Sequence, residues 1–357
     1  MRKHTFALAG GLALLAALPL VWFAARQQPL VLATAHNVGT ADYKISGPYT
    51  HKNLSVFLIH DGAASPAGDG KTFLTLSEAL AQKKVVVYET KSVNELSIEN
   101  LSNDEVFVQS GDIVKGGQQD RMLAVDLILP ARSGKVSIAA FCVEQGRWSK
   151  RGAEEVSRFS SSTERVATRE LKLAANKSRS QGEVWARVSE AQSKLGKSVG
   201  GSVTAVQSAS SYQLTLENGR VRQTTDEYVR ALAGIAARHP DAVGYAFAVN
   251  GKLNSADLYA SHALFAKLWP ALIKASAVEA ITESQPGRTT PTASTVAAGD
   301  VRAFLVESER GAASAVERGA ATARVRVLTR ETQANILFET LDLKSKSGWV
   351  HKSYIKK

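Results

Sequence analysis

The chain contains a single cysteine, Cys142, among its 357 residues. One cysteine excludes an internal disulfide and any zinc cluster built on cysteine ligands. Phosphate and metal motifs are missing as well. Lys115-Gly116-Gly117 lacks the Gly-x4-Gly-Lys-Ser/Thr spacing of a P-loop, and none of the 7 histidines forms the two-His helical pair of a metalloprotease. Asp112, Asp120 and Asp126 offer hard oxygen donors, but their spacing is not that of a calcium loop, so no metal site is expected. There is no zinc-finger spacing, no set of RNA-binding aromatics and no dense Lys/Arg block, so no specific nucleic-acid partner is expected. Acidic residues are absent before position 41, whereas Arg2, Lys3 and Arg26 are basic.

What is present is an ordinary globular composition, 44% hydrophobic and 22% charged, with a net charge of +11. Removing residues 1–35 lowers that charge only to +8, so the body is basic in its own right and suits anionic partners: nucleotides or other anionic small molecules, anionic lipid or acidic polymers. Thr5–Ala25 is 21 residues long without a charge, enough to span a bilayer. Basic residues ahead of it favour a cytoplasmic N-terminus and a body on the far side. Residues 1–35 are therefore read as a membrane anchor or a cleaved signal peptide, Ala33-Thr34-Ala35 having the small-x-small form. Both readings place the body in the cell envelope, periplasmic or otherwise extracytoplasmic.

Hydrophobic patterning divides the body. Short β-rich runs separated by turn residues occur at 54–59, 85–88, 96–99, 106–109, 123–129 and 136–143, as expected of an antiparallel sandwich or partial barrel. Thr75 and Glu78 have capping-box spacing and open a short helix. Residues 149–179 hold eight basic and four acidic side chains and read as a solvated helical face, with Ser160–Ser162 as a loop. Val184, Val188, Ala191 and Leu195 recur at helical spacing. A second capping box, Thr224 with Glu227, opens another helix that ends before Pro240. Asn250-Gly251 between apolar runs predicts a hairpin. Residues 261–281 read as a helix broken or restarted at Pro270, and 282–299 as a flexible linker. Strands are expected at 301–306, 323–328, 336–341 and 350–355. The expected class is α+β: a mostly antiparallel β-rich part over 45–148, a mainly helical part over 150–281, and late strands over 300–357 returning to a sheet.

Three polar stretches carry the candidate chemistry. Gln109 to Arg121 lies between two strands and holds Gln109, Asp112, Lys115, Gly116, Gly117, Gln119, Asp120 and Arg121. Glu144, Arg147 and Trp148 follow an apolar strand that contains Cys142, and Arg179 and Glu183 open a helix whose N-terminus favours anions. Arg147 offers a planar fork for carboxylate or phosphate, and Trp148 a stacking face. The expectation is one cleft in which Arg121 and Arg147 hold an anion against Trp148. Asp112 and Glu144 are the candidate general bases of a hydrolase. The bland alternative is that these side chains cap backbone groups and pin a turn, while Cys142 reads as a buried small hydrophobe. No cofactor can be named.

Taken with residues 74–80, Asp257-Leu258-Tyr259, Lys267-Leu268-Trp269-Pro270 and Val350-His351, these stretches resemble the "ARG and Rhodanese-Phosphatase-superfamily-associated protein" domain family, where ARG stands for ADP-ribosylglycohydrolase. The resemblance covers roughly residues 45–357 and implies a link to nucleotide or ADP-ribose chemistry. Three functions follow as expectations: a binding module for an anionic, nucleotide- or ADP-ribose-like ligand, a hydrolase, or a structural envelope protein.

Overall fold

The computed structural model describes residues 43–61, 72–162, 167–284, 295–316, 324–344 and 348–357. The segment read as an anchor or signal lies outside the described residues, as do 285–294 of the expected linker. The described body is α+β and almost wholly antiparallel, built on a closed barrel, a small sheet and a large sheet.

Six strands close the barrel. In order around it they are Gly134–Cys142, Glu95–Asn100, Val85–Ser92, Arg158–Ser161, Ile113–Gly116 and Arg121–Leu123, the last pairing back to the first. Period-two alternation turns Val85, Val87, Leu96, Ile98, Val114, Ile138 and Ala140 into one core. Ser160, expected in a loop, lies in the strand that closes the ring, pairing with Lys115. Without that strand, the edges of Val85–Ser92 and Ile113–Gly116 would both be unpaired.

The run at 123–129 is two strands rather than one. Arg121–Leu123 belongs to the barrel, and Leu127–Leu129 joins Val106–Val108 and Leu74–Thr75 in the three-stranded sheet. Asp126 pins the break, accepting hydrogen bonds from Ser110 N at 2.7 Å and Thr340 Oγ1 at 2.6 Å.

The large sheet has eight strands in the order Lys44–His51, Leu54–His60, Ala242–Val249, Lys252–Tyr259, His351–Lys356, Asn335–Asp342, Val325–Glu331 and Ala312–Val316. The late strands thus continue the sheet that the first hairpin begins. Leu54–His60 is buried along its whole length because both faces are covered. Leu54, Val56 and Leu58 pack with the helices Gln181–Ser198, Gly219–Leu232 and His262–Thr282, while Phe57 and Ile59 pack with Ala298–Glu309. Each such side chain contributes roughly 1.5–3 kcal/mol by leaving water. Asn250 and Gly251, both at positive φ, make the expected two-residue turn of the 242–259 hairpin.

Other expectations change. Residues 301–306 are helical, within Ala298–Glu309. Val301, Phe304, Leu305 and Ser308 are buried at helical spacing, and Asp300 accepts a hydrogen bond from Ala297 N at 2.8 Å, so the three- to four-residue period overrides the β-branched composition. The helix assigned to Thr224 begins earlier, at Gly219, where Asn218 Oδ1 accepts from Arg220 N at 3.0 Å. Thr224 instead donates to Arg220 O at 2.9 Å within the helix. His262–Thr282 runs through Pro270 unbroken. The Thr75–Glu78 capping box is present, with Thr75 N donating to Glu78 Oε2 at 2.8 Å.

Candidate functional site

The turn from Gly116 to Arg121 and the segment from Glu144 to Arg151 meet, and their charges pair with one another. Asp120 and Glu144 are both fully buried. Asp120 Oδ1 accepts from Gly116 N at 3.0 Å, and Arg151 forks across Asp120 with two contacts of 2.8 Å. Ser211 Oγ adds a third donor to Asp120 at 3.0 Å. Glu144 Oε2 accepts from Asp120 N at 3.1 Å, and its Oε1 from Arg147 Nε at 2.7 Å. Arg147 also donates to Gly117 O at 3.2 Å and Gly116 O at 3.3 Å. Burial pushes the Asp120 carboxyl up against the pull of Arg151. Burial acts the same way on Glu144, but Arg147 and Asp120 N hold that carboxyl below its usual range. The cluster can clamp the turn to the segment after the barrel strand, and both carboxylates already accept several hydrogen bonds.

The remaining predicted residues sit around this clamp or away from it. Lys115 pairs with Glu217 at 2.7 Å. Gly117 has a positive φ, and a Cβ there would overlap the Phe159 ring. Gln119 is buried, and so is Arg121, which contacts Cys142 Sγ, Glu89 Oε1 at 3.3 Å and Ser92 O at 3.3 Å. Trp148 is 47% exposed, its ring 5.5 Å from the Arg121 guanidinium. Arg179 is exposed at the end of a π-helical turn, and Glu183 faces Arg187 at 3.8 Å on a half-exposed helix surface. Sequence reading missed Arg151. It lies in the stretch read as solvated, yet it is 7% exposed.

Gln109 and Asp112 have a different setting. They bound a tight turn in which Asp112 N donates to Gln109 O at 3.1 Å and Gln109 N donates to Asp112 Oδ2 at 3.2 Å. Gly111, at φ +96°, lets the turn pass close to Ala167 and Lys172. This turn walls a cavity of about 240 Å³ that also takes in Glu78, Lys172, Lys267 and the Pro270 stretch of the 262–282 helix. Lys267 Nζ donates to Phe73 O at 2.8 Å and stands 3.3 Å from Glu78.

Ser110 and Lys172 also line a second, smaller cavity of about 20 Å³, beside a buried histidine centre. His351 lies between two carboxylates, with Nδ1 2.7 Å from Asp126 Oδ2 and Nε2 3.1 Å from Asp257 Oδ1. The Tyr259 ring stacks on it at 4.7 Å, and Tyr259 OH donates to Gln109 Oε1 at 3.2 Å. Burial disfavours the His351 charge, but the two carboxylates outweigh it and push the imidazole up to about 9. Burial likewise opposes the Asp257 charge, which Lys172 and His351 hold well below the usual carboxylate range. Lys172 Nζ stands 3.8 Å from Asp257 Oδ2, beyond hydrogen-bond reach, and Asp257 Oδ2 accepts no hydrogen bond among the described residues. Asp126, Asp257 and His351 are far apart in sequence, so no spacing rule could have joined them.

The model of the ARG and Rhodanese-Phosphatase-superfamily-associated Protein domain matches residues 42–355. The chain belongs to this family. The family domain spans the barrel, the large sheet, the clamp and both cavities. No curated protein and no solved structure matches the chain. Among the described residues of this family domain, no helix is long and apolar enough to cross a membrane.

Proposed function

We propose that this family domain is a binding module for a small anionic ligand, held in the cavity at the Gln109–Asp112 turn. The carrying observation is that Lys172 and Lys267, from different helices, line one cavity of about 240 Å³ with a polar backbone turn. Lys172 supports the reading further. Its ammonium has three donors, and its ion pair with Asp257 is long at 3.8 Å. Drug-sized ligands occupy roughly 300–1,000 Å³, so a sugar phosphate or the phosphate-bearing part of a nucleotide suits this volume. The ADP-ribose-like class implied by the resemblance enters as one such phosphate-bearing ligand.

A hydrolase is the second reading, and one observation favours it: Asp112 reaches the wall of the same cavity. Glu144, engaged by Arg147 and Asp120 N, suits the clamp better than proton transfer. The charge order of residues 2–25 further leads us to place the body outside the cytoplasm.

The test is thermal stabilisation by inorganic phosphate, sugar phosphates, nucleotides and ADP-ribose. A stabilising ligand should lose about ten- to a hundredfold in affinity on Lys172→Ala, the worth of one charge-assisted hydrogen bond. Arg147→Ala should lower the melting temperature yet leave affinity alone. If no anion stabilises the wild type, or Lys172→Ala binds as wild type does, the cavity is not the ligand site.

A further inference from the structure

Away from both cavities, three residues meet at one end of the Leu54–His60 strand. His60 closes that strand, 3% exposed, and pairs across the sheet with Lys44 on one side and Ala242 on the other. His239 and Asp241 flank Pro240 in the turn leading into the Ala242–Val249 strand, where Ala242 N donates to His239 O at 3.0 Å. The proline ring fixes φ near −65°, which restricts how far the two flanking side chains can drift apart. One candidate ligand atom from each of His60, His239 and Asp241 lies within 4.8 Å of the other two.

The rings are oriented from behind. His60 Nε2 lies 2.7 Å from Ser46 Oγ, and His239 Nε2 lies 2.8 Å from Tyr49 OH. Metal-binding histidines are held this way, one nitrogen engaged by the protein and the other presented to the ion. His60 Nδ1 is buried, has no well-aligned hydrogen-bond partner among the described residues, and faces Asp241 Oδ2 at 3.0 Å. The contact brings an imidazole nitrogen and a carboxylate oxygen face to face at one strand end. An ion seated between the two groups would satisfy both.

We propose that His60, His239 and Asp241 bind a divalent transition-metal ion of the zinc class, with a coordination position open to solvent. Two imidazoles and one carboxylate suit zinc, cobalt or nickel better than magnesium or calcium, which prefer all-oxygen shells. Three protein ligands leave a fourth tetrahedral position unfilled. Asp241, with a side chain 60% exposed, faces the route by which the ion enters. With bonds of about 2.0–2.1 Å, tetrahedral ligand atoms lie roughly 3.3 Å apart. His60 Nδ1 and Asp241 Oδ2, 3.0 Å apart, already have about that spacing.

The full-length chain, stripped with a chelator, is titrated with Zn²⁺ by calorimetry, and Co²⁺ is added to a parallel sample for visible absorption. One equivalent of Zn²⁺ should bind, and Co²⁺ should give a ligand-field band of low coordination number. His239→Ala and Asp241→Asn alter partly or largely exposed side chains and should fold. Each should weaken Zn²⁺ at least about tenfold and abolish the Co²⁺ band, and Ser46→Ala should weaken Zn²⁺ about ten- to a hundredfold. His51→Ala, at the opposite end of the same hairpin, should change neither. No stoichiometric uptake by the wild type, or unchanged uptake by both His239→Ala and Asp241→Asn, would overturn the proposal.

Discussion

Removing the Arg151 guanidinium tests whether the buried clamp holds this fold together. Arg151 contributes two contacts of 2.8 Å to Asp120, a further one of 3.4 Å to Glu144 and three to Glu154, at 2.9, 3.0 and 3.2 Å. In Arg151→Ala the Asp120 carboxylate keeps Gly116 N, Ser211 Oγ and the more distant Arg147 guanidinium at 3.9 Å but loses its bidentate cation. Breaking one side of a buried ion pair costs about 3–5 kcal/mol, because the surviving charge stays out of water. At roughly 2 °C per kcal/mol for a body of this size, melting should fall by about 6–10 °C. Lys84→Ala, at a partly exposed pair with Asp104, should cost less than about 1 kcal/mol. The pH dependence adds a second readout. Burial already raises Asp120, and losing Arg151 raises it further, so the folded variant keeps a proton that its unfolded chain releases. Its deficit should therefore shrink as pH falls toward 4. Asp120→Asn in the Arg151→Ala background should recover part of the loss, since it removes the buried charge that has lost its bidentate partner. Thermal melts at pH 7.5 and urea denaturation at pH 4.5 and 7.5 of the four proteins measure all of this. A midpoint for Arg151→Ala within error of wild type at both pH values would refute the reasoning.

Three further outcomes are expected. His351, raised to about 9, contributes stability that is complete below about pH 6.5 and lost as pH climbs through 9, an effect of about 3 kcal/mol; urea midpoints should drop across that window, and His351→Asn should flatten the profile. Cys142 is fully buried and its thiol is pushed up to about 11 by burial against the pull of Arg121, so iodoacetamide at pH 8 should label it only after unfolding, and rapid labelling of the native protein would contradict the structure. The uncharged run Thr5–Ala25 should carry the body out of the cytoplasm, so added protease should reach it from the outer face; a cytosolic chain with an intact N-terminus would refute this placement.

Local signals determined much of the secondary structure. Val184, Val188, Ala191 and Leu195 mark the buried face of Gln181–Ser198, as their spacing requires. Thr75 with Glu78, and Asn250-Gly251, carry their own capping and turn chemistry, so neighbours in sequence suffice to read them. Where two local signals compete, the surroundings decide. Residues 301–306 are β-branched enough for a strand, but the sheet face formed by Phe57, Ile59 and Leu258 is covered by the helical stripe of Val301, Phe304 and Leu305. Long-range pairing decided the rest. Ser160 is a strand residue because two barrel edges lie on either side of it. Arg151 is buried because Asp120, 31 positions earlier, needs its charge. Asp126, Asp257 and His351 form one centre, and His60, His239 and Asp241 another, only because the antiparallel sheets bring distant strand ends together. Sequence patterns report what a residue does to its near neighbours along the chain; which charges share a buried volume is set by strand order, and strand order here depends on contacts made up to hundreds of residues apart.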